Sequence, residues 1–372
     1  MTNAVSRMMK AMPGVPLGVH WYYWHQIPFD HSYPEYFPER AGMSEAVKWL
    51  RDSGVMVMPY INGRLWDEDI PSFSNAVASS CKKPDGDSYH VEHYASKRDL
   101  VPMCPTTDVW RRKMQSMCRR LIDDIGVDCI YLDQVSCGKT VACHDSKHGH
   151  QLGGGSYWTE GYRKLMAPIR EYAAERKVAL TSESAAEPYL DSFDAFLTWF
   201  AYRSCDVPML PAVYSGYALF FGSTQSSQDS LDSYCALQGK AFLWGCQLGW
   251  NSTWLLRDNR REYLDFTVKL CRERLDNLEF LLEGELLCEL PTPHEVPEVE
   301  IAWNREKSGN FKVPAVMGTL WRNGNGSRKR AFLVNVSDSE QLFAPCIGSG
   351  CNLAPVRISP RSVTHIDVVP DI

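Results

Sequence analysis

Two short apolar runs in this chain each end in a carboxylate. They are Cys129-Ile130-Tyr131-Leu132-Asp133 and Val178-Ala179-Leu180-Thr181-Ser182-Glu183. A loop and an amphipathic helix lie between them, so the stretch reads as strand–helix–strand with an acid at the C-terminal end of each strand. In a (β/α)8 barrel those ends form the active-site rim. Two facing carboxylates are the minimum equipment for cleaving a glycosidic bond: one protonates the leaving oxygen, and the other acts as nucleophile or as base for water. The competing reading is that Asp133 and Glu183 only cap the helices that follow. Ser182, Ser184, Ala185 and Ala186 leave room for a ligand beside Glu183. Glu187, followed by Pro188, is an alternative acid on the loop; Glu183 is preferred because it lies at the strand end.

Other residues at the ends of expected strands suit a sugar. Trp21, Tyr23, Trp24 and His25 end the first strand, Asn62, Arg64, Trp66 and Asp67 follow the second, and Trp199 and Trp250 end later ones. Aromatic faces stack on sugar C–H faces, and Asn, Arg, Asp and His bind hydroxyls. For each Trp, core packing is the alternative. The loop Cys143-His144-Asp145-Ser146-Lys147-His148-Gly149-His150 could ligate a metal, offer His148 or His150 to substrate hydroxyls, or be a plain solvated loop. Its spacing matches no tight zinc pattern, so no metal and no cofactor is expected, and His148 and His150 are read as substrate contacts.

The elements that must position these residues follow a β-α-β rhythm. Leu17–Gln26 is a strand ending in aromatics, Glu45–Ser53 carries helical periodicity, and Val55–Asn62 is the next strand. Short connections of this kind signal a parallel sheet. Residues 63–100 form a long polar excursion, of a length usually tied to function or mobility. A helix runs from Thr106 or Thr107 to Ile125 before the Asp133 strand, and another from about Tyr157 to Arg176 before the Glu183 strand. Ala195–Trp199, Met209–Tyr214 and Ala241–Cys246 are further candidate strands, for seven or eight β-α elements in all. Near residue 284 helical periodicity gives way to alternation. Ala315–Trp321 and Ala331–Val336 flank Asn323-Gly324-Asn325-Gly326, a hairpin signal. The expected architecture is therefore a (β/α)8 TIM-type barrel over residues 14–283, followed by a small C-terminal antiparallel β-sandwich over 284–372.

Composition narrows the function. A net charge of −6 argues against a nucleic-acid partner. No apolar run approaches the roughly 18 residues of a membrane span, and residues 1–13 lack a signal-peptide core. Thirteen Cys, an odd number without a CxxC pair, read as reduced thiols in a cytoplasmic protein. Twelve Trp and seventeen Tyr suit the stacking of sugar faces. There is no GxSxG elbow, no Walker lysine loop and no GxGxxG after a strand, and His90-Val91-Glu92-His93 has neither metalloprotease spacing.

Tyr131-Leu132-Asp133-Gln134, the run His148-Gly149-His150-Gln151-Leu152-Gly153-Gly154-Gly155-Ser156-Tyr157-Trp158, and Thr181-Ser182-Glu183 resemble an uncharacterised bacterial family of glycosidase-like barrel proteins. That family is similar to the endo-α-N-acetylgalactosaminidase and α-galactosidase group of retaining glycoside hydrolases. The resemblance covers residues 17 to about 250 and, loosely, the C-terminal sandwich. It implies a (β/α)8 barrel with Asp133 as nucleophile and Glu183 as acid/base, acting on an α-linked hexose or N-acetylhexosamine. The partner is then an oligosaccharide or glycoside. Members of this kind carry a β-sandwich before the barrel, whereas this chain opens close to a barrel strand. A second expectation is therefore a carbohydrate-binding pseudo-enzyme lacking an N-terminal domain, and a third is a metal-dependent hydrolase using the His144–His150 loop.

Overall fold

The structure is a computed structural model, and it describes residues 1–198, 207–222, 227–293, 295–302, 310–347, 351–352 and 354–368. The chain forms two compact units, one of residues 1–2 and 16–196, the other of residues 3–15 and 197–372.

The first unit is a parallel sheet with crossover helices. Strands Gly18–Trp21, Met56–Asn62, Cys129–Asp133 and Ala179–Glu183 pair in chain order. Ala195–Leu197 follows next in the sheet, where the Asp194 amide donates to the Leu180 carbonyl at 2.8 Å. The strands are apolar because crossover helices cover a parallel sheet: Val57, Ile61, Ile130, Leu132 and Leu180 are buried. The register sets Asn62 opposite Asp133 and Tyr60 opposite Tyr131, with the Ile61–Leu132 rung between them, so these four residues share one face of the sheet. Crossover helices are Met43–Asp52, Asp108–Arg120 and Tyr157–Glu175. The last buries Trp158, Tyr162, Leu165, Met166, Ile169 and Ala173, a stripe at three- and four-residue spacing. Asp108 in the first turn of its helix and Arg119 and Arg120 in the last complement the helix dipole.

The excursion over residues 63–100 carries structure of its own. Leu65–Asp67 pairs antiparallel with Leu100–Pro102, and 3-10 turns cover Pro71–Asn75 and Val77–Ser79.

In the second unit a strand, Leu219–Phe221, is bridged in parallel to Gln247, and the Thr198 amide donates to the Phe221 carbonyl at 2.7 Å. Two of the expected strands are helical. Met209–Tyr214 is a short helix entered from Pro208, with Pro211 in its first turn, where a missing N–H costs nothing. Ala241–Cys246 lies at the end of the helix Leu231–Leu243 and the turn after it. That helix is buried on nearly all sides, so its apolar run has no helical contrast to read. Its Ser230 cap accepts from the Ser233 amide at 3.2 Å.

The C-terminal region is antiparallel. Ser362–Val368, Lys329–Asn335, Val316–Arg322 and Glu285–Glu289 form a four-stranded sheet in that order. The hairpin runs from Val316 opposite Asn335 to Arg322 opposite Lys329. Its turn closes with the Asn323 amide on the Arg328 carbonyl at 3.0 Å and Gly326 at φ 77°. Small two-stranded sheets, among them Gln341–Phe343 with Val356–Ile358, accompany it. Val316, Leu320, Ala331, Leu333, Phe343 and Ile358 share a core. Among the described residues, no helix is long and apolar enough to cross a membrane.

Candidate active site

Asp133 ends its strand, nearly buried, and Glu183 ends the neighbouring strand, where Leu132 lies opposite Ser182 and the charge of Glu183 acts on Asp133. The Tyr60 hydroxyl donates to Asp133 Oδ2 at 2.9 Å. Burial and the nearby Glu183 push the Asp133 carboxyl well above its ordinary range, and the Tyr60 bond pulls in the opposite direction.

Glu183 has its own fixtures. The Cys137 thiol donates to Glu183 Oε2 at 2.8 Å. Burial, then the charge of Glu183, holds that thiol far above its ordinary range, so it stays a neutral donor. Ser136 Oγ donates to the carbonyls of Glu183 and Ser184 at 2.6 and 2.7 Å, tying the loop after Asp133 to the strand end that carries Glu183. Both acids are followed by a non-glycine residue in the left-handed region, Gln134 at φ 61° and Ser184 at φ 52°. The chain turns sharply there, so each strand stops at its acid. Conformations of this kind are costly and concentrate at functional sites.

Tyrosines wall the pair. Tyr22 stacks on Tyr60 with ring centroids 4.7 Å apart, and Tyr60 stacks on Tyr131 at 6.0 Å. Burial, then the charges of Asp133 and Glu183, keep the Tyr22 hydroxyl protonated far beyond neutral pH. His20 packs on Tyr131 at 4.3 Å, and burial lowers its pKa to about 3, which makes it neutral. None of Tyr22, Tyr60, Tyr131 and Cys137 was singled out from the sequence. The signal available was the two-residue period: Tyr60 and Tyr131 lie two positions before Asn62 and Asp133, on the same strand faces.

The other expected residues divide. Trp21 is half-buried in its strand and Tyr23 is exposed, but Trp24 is fully buried and donates Nε1 to the Tyr60 carbonyl at 2.7 Å. That is core packing beneath the site. His25 is buried, and burial lowers its pKa to about 4. Asn62 Oδ1 accepts from the amides of Arg64 and Leu65, both at 2.9 Å, which shapes the turn at its strand end. Arg64 is buried and grips Glu92 (Nη1 to Oε2, 2.7 Å), with further bonds to Gln134 Oε1 at 3.1 Å and the Lys139 carbonyl at 3.3 Å. It joins the 63–100 excursion to the loop after Asp133. Trp66 packs against Trp110, and Asp67 is buried between Arg98 and the Ser32 amide. Glu187 is exposed on a short 3-10 turn beyond Glu183. Trp250 belongs to the second unit, at φ 48°, and Trp199 lies outside the described residues. His148 and His150 do not join the carboxylates. They lie against Cys143 and Cys104, with His148 only 4% exposed.

Comparison with known proteins places the chain. A family model described as a domain of unknown function (DUF6259) matches residues 2–225. A Bacteroides thetaiotaomicron protein named "Putative glycoside hydrolase" is 32% identical over 346 residues, covering 91% of this chain and 50% of that protein. A Monosiga brevicollis protein, "Putative glycoside hydrolase 22789", is 28% identical, covering 91% of this chain and 32% of its own length. The chain thus spans half or less of these relatives. Among solved structures, ligand-free α-N-acetylgalactosaminidase NagBb from Bifidobacterium bifidum superposes with a TM-score of 0.61 at 16% identity, covering 89% of this chain and 50% of NagBb. The maltogenic α-amylase AmyB from Thermotoga neapolitana gives 0.55 at 12% identity, covering 97% and 90%. At these identities the likeness concerns the fold.

Proposed function

The chain belongs to the DUF6259 family of domains of unknown function, and we propose that it is a retaining glycoside hydrolase acting on an α-linked hexose or N-acetylhexosamine. The observation that carries this reading is the placement of Asp133 and Glu183 at the C-terminal ends of two adjacent, paired parallel strands. Retaining enzymes hold their carboxyl groups about 5 Å apart, and inverting ones about 6.5–9.5 Å. Acids at the ends of two neighbouring parallel strands suit the shorter, retaining separation. The parallel strands of the first unit are read as part of a (β/α)8 barrel, with the pair on its rim.

In this mechanism Asp133, oriented by Tyr60, attacks the anomeric carbon while Glu183 protonates the leaving oxygen. Glu183 then takes a proton from water, and the water displaces Asp133. Nucleophilic attack needs ionised Asp133, which the Tyr60 bond favours. The NagBb likeness makes an α-linked N-acetylgalactosaminide the first substrate to try.

The test is hydrolysis of aryl α- and β-glycosides by the whole chain, with proton NMR of the first-formed anomer. Turnover of one α-glycoside giving the α-anomer first, and abolished in Asp133→Ala, is the expected result. Glu183→Gln should slow poor leaving groups about 10²–10⁴-fold and activated aryl groups much less. Equal turnover by Asp133→Ala would remove Asp133 from the chemistry.

A further inference from the structure

The loop after Asp133 folds back onto a cluster of thiols and imidazoles that the hydrolytic reading does not use. Cys104 Sγ, Cys143 Sγ and one ring nitrogen each of His148 and His150 all lie within 4.8 Å of one another. Cys104 Sγ is 3.5 Å from His150 Nε2, and Cys143 Sγ is 3.4 Å from His148 Nδ1. A tetrahedral zinc with Zn–S of about 2.3 Å and Zn–N of about 2.0 Å puts neighbouring sulfur and nitrogen donors about 3.5 Å apart. Two of the six edges already have that spacing, and every other donor pair lies within 4.8 Å.

The outer contacts fix the donors. His148 Nε2 lies 2.7 Å from the Ala78 carbonyl, and His150 Nδ1 lies 2.8 Å from the Gln151 carbonyl. A carbonyl only accepts, so each of these nitrogens carries the proton. The other nitrogen of each ring faces the thiols and is the one placed to bind a metal. Metal-bound histidines are held this way. The Lys82 amide donates to Cys143 Sγ at 3.4 Å, Thr106 Oγ1 donates to the His148 carbonyl at 3.1 Å, and the His150 ring stacks on Tyr157 at 4.0 Å. Cys104 and Cys143 are fully buried, and so is Cys81, whose thiol interacts with both. Cys81 and Cys104 come together because the Cys81 amide donates to the Pro102 carbonyl and the Cys104 amide to the Ser79 carbonyl.

We propose that Cys104, Cys143, His148 and His150 bind a structural zinc ion. Two thiolates and two imidazoles suit zinc better than a hard cation such as calcium or magnesium. All four positions are filled by protein, so the ion has no open site for water or substrate and serves to hold the loop. That loop presents Ser136 and Cys137 to Glu183, so the zinc stabilises the scaffold of the carboxylate pair without entering the chemistry.

Metal analysis of the whole chain, produced with zinc supplied and reductant present, should find about one zinc per chain. Cobalt(II) in its place should give the strong visible absorption and thiolate charge transfer of a tetrahedral sulfur–nitrogen site. His148→Ala and Cys143→Ser should each lower zinc retention against a fixed chelator at least tenfold. Should either variant fold poorly, hydrogen exchange of the wild type supplies the second readout. Chelator should raise exchange in residues 135–155 well before it does so in the Cys129–Asp133 and Ala179–Glu183 strands. A wild type that takes up neither zinc nor cobalt, or that joins these cysteines in a disulfide under the same conditions, would overturn the site.

Discussion

Asp133 is held between opposing influences. Burial and Glu183 favour its protonated form, while the Tyr60 hydroxyl favours the carboxylate. Tyr60→Phe removes only the second influence. The acid limb of kcat/KM, which reports ionised Asp133, should move to higher pH, with the basic limb changed less. A profile displaced equally at both limbs would mean that Tyr60 acts on something else. The same burial links to stability. A carboxyl whose folded pKa is raised above the ordinary 3.8 binds more protons folded than unfolded, so it weakens the fold progressively as pH rises above that value. Asp133→Asn should therefore stabilise the chain at neutral pH, with the advantage disappearing near pH 4, as urea titrations at several pH values would show. The acids themselves were legible in the sequence because each closes an apolar strand run. The tyrosines were not, since a buried Tyr in a strand reads first as core until the register sets Tyr60 beside Tyr131.

At the scale of elements, the strand ends are positioned by close backbone approach. The Gly63 amide donates to the Asp133 carbonyl at 2.9 Å, and a Cβ on Gly63 would fall 2.4 Å from Val135 Cγ2 and 3.2 Å from that carbonyl. Gly63→Ala must push the segment after Asp133 aside, at about 1–3 kcal/mol. Activity should fall by more than the loss of folded protein accounts for, which calorimetry beside kinetics on the same sample would separate. Arg64 performs the complementary task by joining Glu92, Gln134 and the Lys139 carbonyl. Arg64→Leu leaves Glu92 without its buried partner and should cost about 3–5 kcal/mol, with exchange rising first in residues 134–140. A cost under 1 kcal/mol would show that solvent or Tyr94 replaces the guanidinium. The β-α-β rhythm through Glu183 was readable because amphipathic helices alternate with apolar strands. It failed at Met209–Tyr214 and Ala241–Cys246, where short apolar runs belong to helices without a polar face.

For the whole molecule, the change of texture near residue 284 was visible because alternation replaces helical periodicity, and the hairpin turn announces itself in Asn323-Gly324-Asn325-Gly326. What alternation does not reveal is what each face covers. In the second unit the four-stranded sheet packs on the helix Leu231–Leu243. A Cβ on Gly239 would be 2.9 Å from Val334 Cγ1 and 3.3 Å from Val336 Cγ1. Phe242 meets Phe332 at 5.8 Å, and Trp321 Nε1 donates to the Leu243 carbonyl at 3.0 Å. Trp321 also lies against Gly245, where a Cβ would stand 2.6 Å from its ring. A fragment of residues 284–372 would strip the helix from Trp321, Phe332, Val334 and Val336. At about 1.5–3 kcal/mol for each side chain returned to water, that loss approaches the roughly 5–15 kcal/mol that holds a whole domain together. The fragment should lack a cooperative thermal transition and show a wavelength of Trp emission close to that in denaturant. A fragment that instead melts cooperatively with blue-shifted emission would show that the core of Val316, Leu320, Leu333 and Phe343 is sufficient, and that the helix adds only cover.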